Sequence, residues 1–254
     1  MANPYQTPQY TARPTPVTPV VPHAMQPVVR PYVPIGPIAY VLLGMVVFQL
    51  LLGMLNIGAS VLLLDYFYRV SVGRAAESET DLLDFFAIFA SLISILVFLI
   101  SVVVYLIWVY RAYRNLHALR AVEVSTTPGC AVGFHFIPFA NFYLIYRGMR
   151  EIWLGSHPQD LYALRSPLIK HHVGAALVGF WWALHLIANF SASFASRLME
   201  LGQKNRNIAI MINSLLIDIA SDIAFIAAGL ILATIVYMVS LHQEDRIELI
   251  RRSN

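Results

Sequence analysis

The stretch TTPGCAVGFHFIPFANFYLIYRGMREIW, residues 126–153, decides the fold, because it is apolar enough to enter a bilayer and yet is broken near its middle. It opens close to a Pro–Gly pair, carries Pro138 in its interior and ends among Arg147 and Arg150. A proline inside a helix removes a backbone hydrogen bond and kinks or ends the helix. Whether this stretch crosses the membrane or returns to the side from which it came sets the topology of the whole chain.

The rest of the chain is dominated by long apolar runs. The 254 residues are 58% hydrophobic and only 12% charged, against roughly 25% charged in an ordinary soluble domain. About 20 apolar residues suffice for a helix to cross roughly 30 Å of hydrocarbon. We therefore predict an all-α integral membrane protein. Its four transmembrane helices are expected over about 38–64, 82–110, 168–196 and 207–241.

The two ends of the chain differ from this transmembrane domain of residues 38–241. Residues 1–37 hold ten of the fourteen prolines and no acidic residue. Such a segment cannot bury enough surface to fold alone and samples polyproline II, so we predict a disordered tail. It is either an idle tail or a segment that becomes ordered against a partner. Residues 242–254 are predicted to form a second, charged tail in the cytoplasm.

The distribution of Lys and Arg favours four spans over five. If residues 128–153 do not cross, one side of the membrane holds twelve basic residues and the other five; if they cross, the counts become eight and nine. Basic residues gather in cytoplasmic loops, so an asymmetry is expected. We therefore predict a multi-pass protein of the cytoplasmic membrane with both termini in the cytoplasm. A kinked fifth span remains the alternative.

The local chemistry of the broken stretch agrees with four spans. Thr127 can cap a short helix that has Pro128 at its first position, and Pro138 then stops that helix. Beyond Pro138, large apolar side chains recur at near-helical spacing. They are Phe139, Phe142, Tyr143, Tyr146, Met149 and Trp153. We predict a proline-kinked interfacial or re-entrant helical segment over residues 128–153, between helices two and three.

Three pieces of the sequence resemble one bacterial membrane family. They are WVYRAYRN (108–115), PGCAVGFHFIPFANFYLIYRGMREIW (128–153) and FWWALHL (180–186). Together they are similar to the family called domain of unknown function 4328. The matching positions, which form our candidate interfacial motif, are Trp108, Arg111, Asn115, Pro128, Gly129, Pro138, Asn141, Arg150, Glu151 and Trp153.

The resemblance covers roughly residues 85–241, with two departures in its middle. Cys130 stands where tryptophan is usual, and Ile145 stands where a proline often precedes the tyrosine matched by Tyr146. The resemblance implies a multi-span bacterial membrane protein. It implies no activity, because the family carries none.

Polar side chains in the last two predicted helices form a second candidate site. His185 and Asn189 are four residues apart, and so are Asp218 and Asp222. Each pair therefore shares one face of its helix. An antiparallel hairpin would place His185 level with Asp222 and Asn189 level with Asp218. A carboxylate inside a membrane marks a partner or a pathway, so an interhelical hydrogen-bond network and a proton or cation site both remain open.

Nothing in the sequence assembles a catalytic centre. The single cysteine excludes an internal disulfide and a Cys-based metal cluster. No phosphate loop, Gly-x-Ser-x-Gly or His-Glu-x-x-His pattern occurs. The net charge of +3 is too small to indicate nucleic-acid binding. We therefore expect no enzyme, no cofactor and no metal site.

The expected function is that of a non-enzymatic interaction or accessory protein of a larger membrane assembly. The alternative is a small proton- or cation-translocating protein that uses Asp218, Asp222 and His185. The expected partners are the lipid bilayer, anionic lipid headgroups near the basic helix ends, and another membrane protein or a second copy of the chain.

Overall fold

The computed structural model describes residues 31–74, 81–121, 124–158 and 169–253, and the regular structure within these ranges is helical. Residues 1–30, and with them most of the predicted proline-rich tail, lie outside the described residues. The helices are α1 (Gly36–Ser71), α2 (Asp81–Ala118), α3 (Pro128–Gly133) followed by a 3₁₀ turn (Phe134–Phe136), α4 (Asn141–Ser156), α5 (Ile169–Lys204) and α6 (Ile208–Ser253).

Four of these helices are long and apolar enough to cross a membrane. They are α1, α2, α5 and α6, and most of the apolar surface of each remains uncovered by the rest of the chain. Leu55 of α1, for example, is 70% exposed and Leu92 of α2 is 61% exposed. An exposed apolar surface of this extent is compatible with lipid and not with water. The prediction of a four-span helical protein in contact with the bilayer is confirmed.

The helices are longer than the spans predicted from hydropathy. Helix α1 begins at Gly36, and α6 continues to Ser253. Residues 242–253, the described part of the predicted charged tail, continue α6 as its last quarter. Its polar residues do not end the helix because Gln243 and Arg246 are 0% and 1% exposed, and both have hydrogen-bond partners.

Helix α6 is the centre of the bundle, with α1 and α5 both antiparallel to it. Along the α1–α6 seam, Gly53 lies opposite Ile226 and Gly229 lies opposite Leu50. A Cβ atom added at Gly229 would stand 2.9 Å from Leu50 Cδ2, so a glycine is needed for this close approach. Small residues serve this purpose commonly where membrane helices pack.

The proline-broken segment enters the bundle along α2 and leaves it along α5. At its start, the Thr126 amide donates to the Tyr113 hydroxyl (3.3 Å), and further in, His135 Nε2 lies 3.4 Å from the Tyr105 hydroxyl. The eight residues from Tyr113 to Tyr105 correspond to a depth of about 12 Å along a helix. After the turn at Pro138, α4 runs back toward its starting level.

On its way back along α5, α4 covers the same depth of the bundle as the first half of the segment covers along α2. The Trp182 indole donates to the Phe142 carbonyl (2.6 Å) near the start of α4, and Trp153 near its end packs on Gly174. Residues 174 and 182 are again eight apart. The segment therefore turns back inside the bundle as a re-entrant hairpin, which we define as residues 124–158, and does not form a fifth span.

The packing of Trp153 on Gly174 leads to a prediction. A Cβ atom at Gly174 would lie 2.1 Å from Trp153 Nε1, so Gly174→Ala must displace a large buried ring and should cost about 1–3 kcal/mol. The matched control is Gly148→Ala in α4, where no atom lies within 4 Å and alanine should stabilise the helix by about 0.5–1 kcal/mol. Thermal unfolding in detergent measures both changes, and equal melting temperatures would contradict this packing.

Candidate functional site

Arg246 of α6 joins the last residues of the re-entrant hairpin to the end of α2. Its guanidinium donates to the carbonyls of Leu119 (2.8 Å), His157 (2.8 Å) and Arg120 (3.3 Å). The last carbonyls of a helix have no partner within the helix, and a cation there also interacts favourably with the helix dipole. Because the side chain is 1% exposed, these three hydrogen bonds form where little water can replace them.

Gln243, one turn earlier in α6, binds two other helices, α2 and α4, at the same end of the bundle. Its amide nitrogen donates to the Ala112 carbonyl (3.0 Å) and the Ser156 hydroxyl (2.9 Å), and its amide oxygen accepts from Asn115 Nδ2 (2.9 Å). Gln243 and Asn115 are 0% exposed. With Arg246 they form a buried polar clamp, and we use this term for Asn115, Gln243 and Arg246 together.

Asn115 also fixes the segment before α1. Its Nδ2 donates to the Val33 carbonyl (2.7 Å), and its Oδ1 accepts from the Val33 amide (3.0 Å), as in a strand pair. Ile35, two residues on, is 0% exposed. Residues 31–37, which the sequence assigned to the disordered tail, are therefore part of the bundle.

The other predicted motif residues shape the hairpin. Pro128 is buried in the first turn of α3 beside the exposed Gly129, and Thr127 accepts from the Cys130 amide (3.2 Å) as the predicted cap. Pro138 lies in the turn at the tip. Trp108 and Trp153 are buried in the core, whereas Arg111 and Arg150 are half-buried at the clamped end.

Glu151 is the acceptor that ties α4 to α2. It accepts hydrogen bonds from the Tyr113 hydroxyl and from the amide and hydroxyl of Ser125, and lies 3.6 Å from Arg147 Nε. These contacts fix the strand-like stretch before α3 against both helices. Glu151 of the sequence motif is thus a structural residue at the end of the hairpin opposite its tip.

The four polar residues predicted to meet between α5 and α6 do not form one cluster. Asp222 accepts from Asn56 Nδ2 of α1 (2.6 Å), and Asp218 is hydrogen-bonded to Ser60 one turn further along α1. His185 instead lies by Asn189 of its own helix (3.3 Å) and against aromatic rings. The carboxylates face α1 because it offers two donors, spaced one turn apart, that match them.

A cleft lies inside the bundle, where the hairpin tip faces the spanning helices. This central cleft has a volume of about 290 Å³ and is bounded by α1, α2, α5, α6 and the start of α4. Its walls are mainly apolar, with Trp181, Trp182 and Phe225 among them. Ligand sites are typically concave and apolar with a few placed polar groups, so this is the candidate binding site of the molecule.

Two polar groups of the central cleft lack hydrogen-bond partners within the described part of the chain. They are Nε2 of Gln49 and Oδ1 of Asn141, and both atoms are buried. Buried polar atoms are nearly always paired, so each unpaired one calls for an explanation. His185 also lines the cleft, where it stacks on Trp182 with ring centroids 5.4 Å apart.

His135 and Tyr105 form a third polar feature of the cleft. His135 Nδ1 lies 3.2 Å from the carbonyls of Ala131 and Val132, so this nitrogen carries the proton and Nε2 accepts from Tyr105. The cleft lining described here contains no Lys, Arg, Asp or Glu.

Residues 73–240 match the family model described as Domain of unknown function (DUF4328). The chain belongs to this family. No curated protein and no solved structure matches it. The resemblance noted in the motif is confirmed, and the protein is a multi-span membrane protein of a family without an assigned activity. Helix α1 and the clamp residues Gln243 and Arg246 lie outside the matched residues.

Sequence reasoning missed Gln243, Arg246 and Gln49 as site residues. Hydropathy assigned the first two to a tail, although Val239, Gln243, Arg246 and Ile250 recur at helical spacing and share the buried face of α6. That periodicity was the available signal. Gln49 lies within the first predicted span, but a single sequence offers no means of placing it in the same cleft as Asn141.

The polar clamp leads to a testable prediction for Arg246. Arg246→Lys keeps the charge but cannot reach the carbonyls of Leu119, Arg120 and His157 together, so we expect a loss of about 1–3 kcal/mol in stability. Arg251→Lys, on the exposed side of the same helix, is the matched control and should lie within about 0.5 kcal/mol of wild type. The measurement is the midpoint of thermal unfolding in detergent; equal midpoints would exclude the clamp.

Proposed function

We propose that the protein acts by binding and not by catalysis, as an accessory protein of a larger membrane assembly, and that the hairpin tip is its docking element. The observation that carries the proposal is Phe139. This residue has a φ of +62° and is 85% exposed.

The positive φ of Phe139 belongs to a turn in which the Ala140 amide donates to the Pro138 carbonyl (2.7 Å), but nothing in that turn requires a phenylalanine. A left-handed residue other than glycine costs roughly 1–2 kcal/mol, and glycine or asparagine would form the same turn more easily. The ring packs against little of its own chain. Strained residues cluster where a ligand or partner is met, and large aromatic side chains are frequent anchors at interfaces.

The surroundings of Phe139 support a docking role. Phe136 and Tyr143 are 70% and 61% exposed, so the tip presents several aromatic rings together. The base of the hairpin is fixed by the polar clamp and by Glu151. A rigid presentation lowers the entropy that binding would cost. The occupant that fits such an uncharged aromatic tip is an apolar transmembrane helix of another protein.

The positions of the arginines support an orientation. Arg111, Arg114 and Arg150 lie at the clamped end of the bundle, together with both described chain ends. By the positive-inside rule this end faces the cytoplasm of a bacterial cell. Anionic lipid headgroups are then its second partner, with attraction of about 1 kcal/mol per basic residue near the surface.

Site-specific photo-crosslinking tests the docking role. A benzophenone residue at position 136, next to Phe139, should give a discrete protein adduct in native membranes, whereas one at position 55 on the lipid-facing side of α1 should not. In the Phe139→Gly background the adduct should be lost, while the melting temperature stays level or rises because glycine adopts a positive φ without strain.

The mass of the crosslinked adduct distinguishes a second copy of the chain from a different protein. An adduct of twice the chain's mass would identify a second copy as the occupant. An adduct that persists in Phe139→Gly, or equal labelling from positions 136 and 55, would contradict a docking role for the tip.

The translocation alternative rests on the carboxylates of the α1–α6 seam. Asp218 and Asp222 lie one turn apart within a candidate span, as acidic residues of proton pathways do. Their hydrogen bonds to Ser60 and Asn56 support a structural role instead. His185, the third residue of that hypothesis, belongs to the central cleft and does not pair with either carboxylate.

Asn substitutions discriminate between the two roles. We expect Asp218→Asn with Asp222→Asn to lower the melting temperature by several degrees, since charge-assisted hydrogen bonds are about twice as strong as neutral ones. Wild type and variant should show the same background proton and cation flux in liposomes. A flux in the wild type that disappears from a variant of unchanged stability would establish translocation and overturn the accessory role.

A further inference from the structure

The central cleft has features that a docking role for the hairpin tip does not use. Its aromatic walls come from α5 and α6, and Phe98 of α2, which also lines it, is 46% exposed. The cleft therefore reaches the lipid-facing surface of the bundle. A molecule dissolved in the bilayer can enter it without crossing water.

The two unpaired polar atoms of the cleft indicate which hydrogen-bonding groups such a molecule must carry. Nε2 of Gln49 offers a hydrogen-bond donor, and Oδ1 of Asn141 offers an acceptor. Leaving a donor or an acceptor buried and unpaired is costly, and an apolar side chain of similar size would avoid that cost at either position. The unpaired atoms therefore indicate groups that a ligand satisfies.

The charge and shape of the lining narrow the ligand further. The described lining holds no Lys, Arg, Asp or Glu, so an ionic headgroup would enter without a counter-charge, which is unfavourable. Trp181, Trp182 and Phe225 line the cleft, and their aromatic surfaces can contact a flat ring. The volume of about 290 Å³ suits a ring and leaves a tail to extend past Phe98 into lipid.

We propose that the central cleft binds an uncharged, membrane-soluble ring that carries carbonyl or hydroxyl groups, as a quinone or quinol does. The Gln49 amide donates to a carbonyl or hydroxyl oxygen of the ring, and Asn141 Oδ1 accepts from a hydroxyl. Trp181, Trp182 and Phe225 hold the faces of the ring. This inference does not depend on a protein partner at the hairpin tip, and its test uses purified protein alone.

The probe is a short-chain benzoquinone in its oxidised and reduced forms, added to the full-length protein in detergent. Two of the chain's four tryptophans line the cleft, so binding of the quinone should quench tryptophan fluorescence in a saturable way. A quinone ring of the same size with a sulfonate group should give no saturable quenching, because the cleft offers no cation.

Gln49→Leu is the deciding variant. It should weaken binding of the oxidised form at least about tenfold through loss of the only proposed donor to the carbonyl. Its melting temperature without ligand should stay level or rise, since the change removes an unpaired buried amide. Asn141→Leu should weaken binding of the reduced form more than that of the oxidised form. Gln203→Leu, at the exposed end of α5, is the control and should bind both forms as wild type does.

Several results would overturn the proposal. One is quenching that rises linearly with quinone concentration and is equal in wild type and Gln49→Leu, which reports partition into the micelle. Another is equal or tighter binding of the sulfonated ring. A third is a lower melting temperature of Gln49→Leu without any change in binding, which would make Gln49 a structural residue.

Discussion

The interaction on which the rest of the structure depends is the set of hydrogen bonds from Arg246 to three backbone carbonyls. Leu119 and Arg120 directly follow the end of α2, and His157 directly follows the end of α4 beside it. Carbonyls that a helix leaves unpaired must find donors where water is scarce. One guanidinium supplies them for the end of α2 and for the last residues of the re-entrant hairpin, and this fixes the end of α4 beside the end of α2.

The position of the hairpin then accounts for both candidate functional surfaces. The fixed end of the hairpin lies at the clamped end of the bundle, and its tip lies about eight helical residues away from that end along α2 and α5. There His135 contacts Tyr105 and Trp182 contacts Phe142. The tip holds Phe139 at the bundle surface, and the start of α4 closes one side of the central cleft. The hydrogen bonds of Arg246 thus support both the proposed docking surface at the hairpin tip and the central cleft.

The sequence predicted those features that depend on local properties. The apolar runs predicted the four spans, Pro138 predicted the break between α3 and α4, and Thr127 predicted the cap of α3. What it could not predict depends on which faces of distant helices meet. The carboxylates of α6 lie against Asn56 and Ser60 of α1. Arg246, near the charged end of α6, is buried, because it donates hydrogen bonds to backbone carbonyls that a hydropathy profile does not include.

The most direct test of the account is the side of the membrane on which each part of the hairpin lies. Single cysteines at Ser125→Cys, Pro158→Cys and Phe139→Cys, in a Cys130→Ser background, can be treated with a membrane-impermeant maleimide in vesicles of both orientations. The account predicts that positions 125 and 158 react in the same orientation and that position 139 reacts in neither. Reaction of positions 125 and 158 in opposite orientations would contradict it.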